Sequence, residues 1–289
     1  MTCFKTSACA LVLIALSTSV PRPAHAGQSY DNCTGVISSL PAVISTQGTW
    51  CLKQDLATSM SSGSAITIGT NNVTIDCNDF KLDGSGAGSA TSASGISAVG
   101  RFNATLRRCD IRGFFRGVYF SGSGSGGHLV EDNVFDGNTF VGLWVEGDGS
   151  LLQRNRVFNS GPSTGIANAY GIAAYYAVDI RDNSVSGVTA RPGGNGFVIG
   201  ILTVANPRGR ISDNGVRGLQ PDGTGGTSGI QNSGSDRIAV LNNDLIGNGA
   251  VGSVGISCGI GKSSTKDNIV AGFVTGLSIC ADNGNDITP

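Results

Sequence analysis

Glu146 and Asp148 stand two positions apart in the segment WVEGDGS. On one extended strand they would share a face, with Cα atoms about 6.5–7 Å apart. That geometry is compatible with an acid/base pair for glycosidic cleavage, which uses carboxyl groups about 5–9.5 Å apart. Asp148 lies in the turn-like GDGS, which leaves its direction open. Trp144 precedes Glu146 by two and falls on the same face, and Arg101 and Arg116 are candidate partners for a substrate carboxylate or proton.

The remaining chemistry-bearing residues have plainer readings. His128, in GGHLV, starts an apolar strand and reads as a strand-end histidine. Gly255-x-Ser257-x-Gly259 fits a nucleophile elbow, but no helix follows and no histidine is near. The stretch around Lys262 lacks the first glycine of a phosphate loop, and Gly122, Gly124 and Gly127 lie in a Gly/Ser loop without a dinucleotide-binding context. Asp132, Asp182, Asp213 and Asp267 each precede an Asn, in a column that also holds Arg108, Arg154 and Asn242. Asp182 and Asp213 could share a cation such as Ca²⁺. Their setting reads instead as turn formation beside arginines, so no cofactor and no metal site is assigned. Copper would need Cys, Met or His ligands, and Met60 and His128 alone do not provide a set.

The elements that must position these groups are repeats. An apolar residue, two polar residues, Asn, any residue, an apolar residue, any residue and Gly recur around Asn133, Asn155, Asn183, Asn214, Asn243 and Asn268. Cys109 and Asn78 occupy the same slot upstream, and the steps between slots run from 22 to 31 residues. A second skeleton, Gly-apolar-x-apolar, starts at Gly95, Gly117, Gly142, Gly171, Gly200, Gly229, Gly255 and Gly276. Self-similarity at this period marks a solenoid. Short period-2 strands broken by Gly, Asn, Asp and Ser predict a parallel β-helix of about eight coils, with a rung spacing near 4.8 Å.

The faces follow from the alternation. Leu106, Val130, Leu152, Ile180, Ile211 and Val240 should stack inward on one wall, and Ile111, Phe135, Val157, Val185, Val216, Leu245 and Val270 on another. Between them a column of Asn side chains can bond from coil to coil. On the second skeleton the residues two and four after each Gly should face outward. This sets Tyr119, Trp144, Glu146 and Tyr175 on one outer strip, between the long connections Ser160–Tyr170 and Val188–Ile199. Flat π faces beside a carboxylate suit a sugar ring.

Gly is 45 of 289 residues, charged residues are 13%, and the balance of 19 basic to 20 acidic argues against a nucleic-acid partner. Residues 1–26 read as a secretory signal: Lys5, the apolar run Ala8–Leu16, then Ala24-His25-Ala26. The run is shorter than the about 20 residues needed to span a bilayer. The expected location is therefore periplasmic or extracellular. Six cysteines remain after cleavage, an even number that suits disulfides in an exported chain. The repeat puts Cys77 one coil from Cys109 and Cys258 one coil from Cys280, each pair about one position out of register, and leaves Cys33 with Cys51. Residues 27–63 lack the repeat and are expected to cap the first coil, with the β-helix running over 64–289.

Both skeletons, opened by VTIDCNDFKLDG, resemble those of right-handed parallel β-helix proteins of the pectin-lyase-like superfamily. The resemblance covers about Ala65 to Cys280 and is nearest to exported bacterial repeat proteins that are themselves NosD-like. It implies an all-β, single-stranded right-handed solenoid, and leaves activity open because this fold hosts many. The adjacent aspartates, Gly-His-Gly and Arg-Ile-Lys of polygalacturonase-like hydrolases do not occur here. The expected function is glycan or polysaccharide binding on the aromatic strip, by Tyr119, Trp144 and Tyr175. The alternatives are a lyase or hydrolase using Glu146 and Asp148 on the same face, and a structural or adhesive rod. The repeat fixes no oligomeric state.

Overall fold

Each repeat keeps apolar side chains on one side of short strands and breaks where a residue must take positive φ. The residues just before the Asn slot do this: Arg108, Asp132, Arg154, Asp182, Asp213, Asn242 and Asp267 have φ between 51° and 60°. Asp and Asn tolerate this left-handed geometry better than other side chains, which explains the aspartates of that column as turn formers.

The computed structural model describes residues 32–234, 237–259 and 263–288. The expected signal segment, 1–26, lies outside the described residues. The chain winds into a parallel β-helix in which each coil adds one strand to each of three sheets, of 10, 11 and 10 strands. Sheet I holds the Gly-apolar-x-apolar strands, among them Arg116–Ser121, Val141–Glu146 and Ala169–Tyr175. Sheet II holds the strand before the Asn slot, as in Leu129–Glu131, and sheet III the strand after it, as in Val134–Asp136. The pairing is parallel and in register, with Val130 beside Leu152 and Phe135 beside Val157.

Both expected inner walls are buried, from Leu106 through Val240 and from Ile111 through Val270. Each such side chain stabilises the fold by about 1.5–3 kcal/mol. The space is tight enough to explain the recurring glycine of sheet I. A Cβ on Gly171 would collide with Val185 Cγ1 and stand 2.6 Å from the Gly200 carbonyl oxygen.

The Asn column forms a continuous ladder. Asn155 Oδ1 accepts from both the backbone N–H and the Nδ2 of Asn133, at 3.2 and 3.0 Å. The same double bond repeats from Asn155 to Asn183, Asn214, Asn243, Asn268 and Asn285. Both ends are closed by a different residue type. At the start, Asn133 Oδ1 accepts the Cys109 amide, and Cys109 is tied to Cys77 by a disulfide. At the finish, Asp282 Oδ1 takes the Asn285 amide at 3.1 Å and its Nδ2, where the next Asn would stand.

The tail after Cys280 supplies the last rungs of sheets II and III, Ala281–Asp282 and Asp286–Thr288. At the other end Gly35–Ala57, inside the segment expected as a cap, already contributes rungs to all three sheets, ahead of the expected start near Ala65. The disulfides are Cys33–Cys51, Cys77–Cys109 and Cys258–Cys280, with Cα separations of 5.9, 4.8 and 5.1 Å; the last two are the pairs that the repeat places one coil apart, and the first is the pair that was left. No helix among the described residues is long and apolar enough to cross a membrane. Three disulfides are compatible with an exported protein.

Candidate functional site

Register on sheet I builds the outer strip directly. Tyr119 pairs with Trp144, Trp144 with Ala173, and Glu146 with Tyr175. Because Ala173 is small, the indole of Trp144 leans across it and stacks on Tyr175, with centroids 4.8 Å apart and planes 22° from parallel. Tyr119 meets Trp144 edge-on at 6.2 Å. Trp144, Tyr119, Tyr175 and Glu146 are half-buried and stand outside the coil. They border a second apolar cluster, separate from the inner core, made of Phe115, Phe140, Val141, Ala173, Ile199 and Leu202.

The strip is held by polar contacts as well. Trp144 Nε1 donates to Glu146 Oε1 at 2.8 Å, and Gly122 N donates to Glu146 Oε2 at 3.0 Å. Both carboxylate oxygens therefore position neighbours. Burial pushes the Tyr175 phenol up to about 12, assisted by Tyr170, Glu146 and Tyr119, so it stays a neutral donor. Asp148 does not extend the strand, which ends at Glu146. It lies in the following turn, exposed, with Oδ1 accepting the Ala177 amide at 3.2 Å.

Sequence reasoning missed the aromatic setting of Arg116. Its guanidinium carbon lies 4.5 Å from the Tyr119 ring centroid, 4.8 Å from Phe115, 5.7 Å from Trp144 and 6.0 Å from Phe140. Burial lowers its pKa, but a guanidinium remains charged. The signal was present as Phe115 and Phe140, each two residues before a repeat glycine, and these rings stack at 4.8 Å.

The two long connections pack beside the strip. Ile166 and Tyr170 pack on the outer cluster, and Tyr170 meets Phe197 edge-on. Thr164 N donates to Ser89 O at 3.1 Å and Arg191 Nη1 to Thr164 O at 2.6 Å, so the loops that hold Ser89, Thr164 and Arg191 are laced together beside sheet I.

The other candidates are structural in their contacts. His128 is buried against Phe120, its Nδ1 accepting the Ala104 amide and its Nε2 bonded to Ser125 Oγ at 2.7 Å. Burial holds its pKa near 4. Asp182 and Asp213, considered for calcium, line a depression together with Arg181 and Arg210. Among the described residues no group of three or more His, Cys, Asp and Glu is placed to hold a metal ion. Asp76 is a buried carboxylate gripped by Arg107 and Arg108 next to the Cys77–Cys109 bridge. Burial raises its pKa, but Arg108, the Asn78 amide and Arg107 outweigh that and leave it below the ordinary value.

Residues 94–287 match the family model described as right handed beta helix region. No curated protein matches the chain. Among solved structures the chain is similar to the tailspike protein of E. coli bacteriophage HK620 in complex with pentasaccharide, at 10% identity over 89% of this chain and 59% of that one, with a TM-score of 0.47. It is similar to the Dettilon tailspike protein at 16% identity, over 88% of this chain and 60% of that one, with a TM-score of 0.44. The alginate lyase from Paenibacillus sp. str. FPU-7 aligns at 10% identity, over 89% of this chain and 98% of that one, with a TM-score of 0.42. The chain spans about three fifths of the length of the tailspikes. At these identities the likeness concerns the fold and says nothing of a site.

Proposed function

The chain belongs to the right-handed β-helix family, and on the outer wall of that helix we propose a surface that binds polysaccharide or glycan, in an exported protein of the periplasm or cell exterior. The observation that carries this reading is the Trp144–Tyr175 stack, outside the coil, with its indole N–H already satisfied by Glu146. An aromatic face fixed before the ligand arrives loses little freedom on binding, and sugar C–H groups pack on such faces. The neutral Tyr175 hydroxyl adds a polar contact to orient the ring.

Holding is better supported than cleaving. Both oxygens of Glu146 are engaged by Trp144 and Gly122, and Asp148 is tied to the Ala177 amide in the turn. A lyase or glycoside hydrolase on this face would need Glu146 released for proton transfer, because Asp148, with one oxygen free, stands off the strand in the following turn. The test is a panel of immobilised polysaccharides probed with wild-type protein and Trp144→Ala, alongside assays for new reducing ends and unsaturated products. Binding that depends on Trp144 without product release is the expected result. A purely structural or adhesive rod would leave the two proteins indistinguishable on the panel.

A further inference from the structure

Sheet I turns into sheet II just beyond Glu146, and at that corner the structure has a cleft of ≈ 430 Å³ lined by Phe102, Gly122–Ser125, Gly147, Asp148 and Tyr176. Its size lies within the range of about 300–1,000 Å³ usual for ligand sites. Phe102 and Tyr176 flank it, 46% and 48% exposed.

Tyr176 is the informative residue. It follows a sheet I strand directly, and in that position five other coils have Gly100, Gly122, Gly147, Ala205 and Gly234 with positive φ, and the last coil has Ile279 with φ 58°. Tyr176 adopts φ 70° there. A bulky side chain in the left-handed region is strained, so the turn itself does not call for tyrosine. Its side chain is half exposed at the mouth of the cleft.

Three of the lining residues, Gly122, Gly124 and Gly147, are glycines and add no side chain to this space. Phe102, Gly126 and Asp148 form successive bridges, and Tyr176 lies one coil further, so the backbones of the two aromatic residues are about 14 Å apart along the axis at ~4.8 Å per rung. The polar groups of the lining have defined hydrogen-bond roles. Asp148 uses one oxygen on Ala177 N, and its other oxygen has no hydrogen bond among the described residues. His128 Nδ1 accepts the Ala104 amide, so Nε2 carries the proton and donates to Ser125 Oγ. The Ser125 hydroxyl proton is thereby left to donate elsewhere. None of the lining residues is a cation.

We propose that this corner cleft is a second binding site, for neutral sugar residues, and that it continues the aromatic strip as one path around the edge of the sheet. Naming a sugar rests on the reading of the strip, whereas the walls and charge of the cleft do not. Two aromatic walls stack pyranose rings, Asp148 accepts and Ser125 donates hydrogen bonds to hydroxyl groups, and a carboxylate without a cation disfavours acidic sugars. Glu146 joins the two sites, since one oxygen holds Trp144 and the other holds the Gly122 amide at the lip of the cleft.

The test is calorimetric titration with cellohexaose, mannohexaose, xylohexaose and hexagalacturonate, using wild-type protein, Phe102→Ala, Tyr176→Gly and Trp144→Ala. Binding of a neutral hexaose, weakened roughly tenfold in Phe102→Ala and Tyr176→Gly, is the expected result. Tyr176→Gly should keep or raise the Tm, because Gly suits the positive φ. Unchanged Kd in both cleft variants, binding of hexagalacturonate alone, or no binding of any neutral hexaose would each overturn the proposal. Loss in Trp144→Ala with both cleft variants unaffected sinks the cleft and keeps the strip. Loss in the cleft variants with Trp144→Ala unaffected does the reverse.

Discussion

Trp144 Nε1 donates to Glu146 Oε1 at 2.8 Å, although the two residues are neighbours on one face of one strand. A side chain that satisfies its own neighbour in this way is set rather than searching. Trp144→Ala should weaken glycan binding by about 1–3 kcal/mol, the range of stacked contacts. The indole is half-buried, so the same change should lower stability by only about 1–2 kcal/mol, short of the about 3–5 kcal/mol for emptying a buried site. Glycan affinity and urea denaturation on one preparation separate the two effects.

The solenoid, its inner walls, the Asn column and the disulfides were legible because each depends on period and spacing, which a repeat displays many times over. Val130 and Phe135 are predicted inward for the same reason as Ile180 and Val185. The strip was legible to the extent that register alone decides it: Tyr119, Trp144 and Tyr175 meet because equivalent positions pair. The packing of rings around Arg116 was not, since it depends on how far Phe115 and Phe140 lean toward the strip. Tyr176 was hidden by its neighbour Tyr175, and its meaning appears only when its φ is compared with that of the glycines in the same position. Asp148 left the strand because Gly147, with φ 122°, ends it.

Glu146→Gln separates holding from turnover. Glutamine keeps one acceptor oxygen and loses the other, so either the Trp144 or the Gly122 bond must go. Binding should weaken by about 1 kcal/mol, and neither protein should release reducing ends or unsaturated products. Turnover by the wild type that vanishes in Glu146→Gln, with binding intact, would make Glu146 an acid or base and reverse the reading.

Val185→Asp tests the inner wall. Val185 is fully buried under Gly171, where even a Cβ has no room. A carboxylate there loses its hydration without a partner, and about 4 kcal/mol or more of stability should be lost. An unchanged denaturation midpoint would contradict the packing.

Asn183→Leu tests the ladder. Asn183 Oδ1 accepts from Asn155 N and Nδ2, and its own Nδ2 donates to Leu152 O and Asn214 Oδ1. Leucine strands buried donors on one side and acceptors on the other, at a cost of about 2–4 kcal/mol. Asn285→Ala, at the partly exposed last rung, should cost less than about 1 kcal/mol and raise hydrogen exchange only in the final coil. Equal losses at the two positions would mean that the ladder contributes nothing beyond local turns.

His128 makes stability depend on pH between about 4 and 6.5. Its folded value near 4 lies below the ordinary 6.5 because burial disfavours the charged ring. The unfolded chain therefore binds the proton first, and stability rises with pH across this window. The contribution is fully present above pH 6.5 and is lost as pH falls toward 4, with a span of about 3 kcal/mol. Protonation at Nδ1 also takes the acceptor from the Ala104 amide and sets two donors against each other. Asp76 behaves in the same sense but lower down, since its folded value lies below the ordinary carboxylate range. His128→Gln should be less stable than wild type at pH 7, and its denaturation midpoint should be nearly flat from pH 6.5 to 4.5. A variant that keeps the full wild-type slope would assign the acid sensitivity to carboxylates and leave His128 as a neutral bystander.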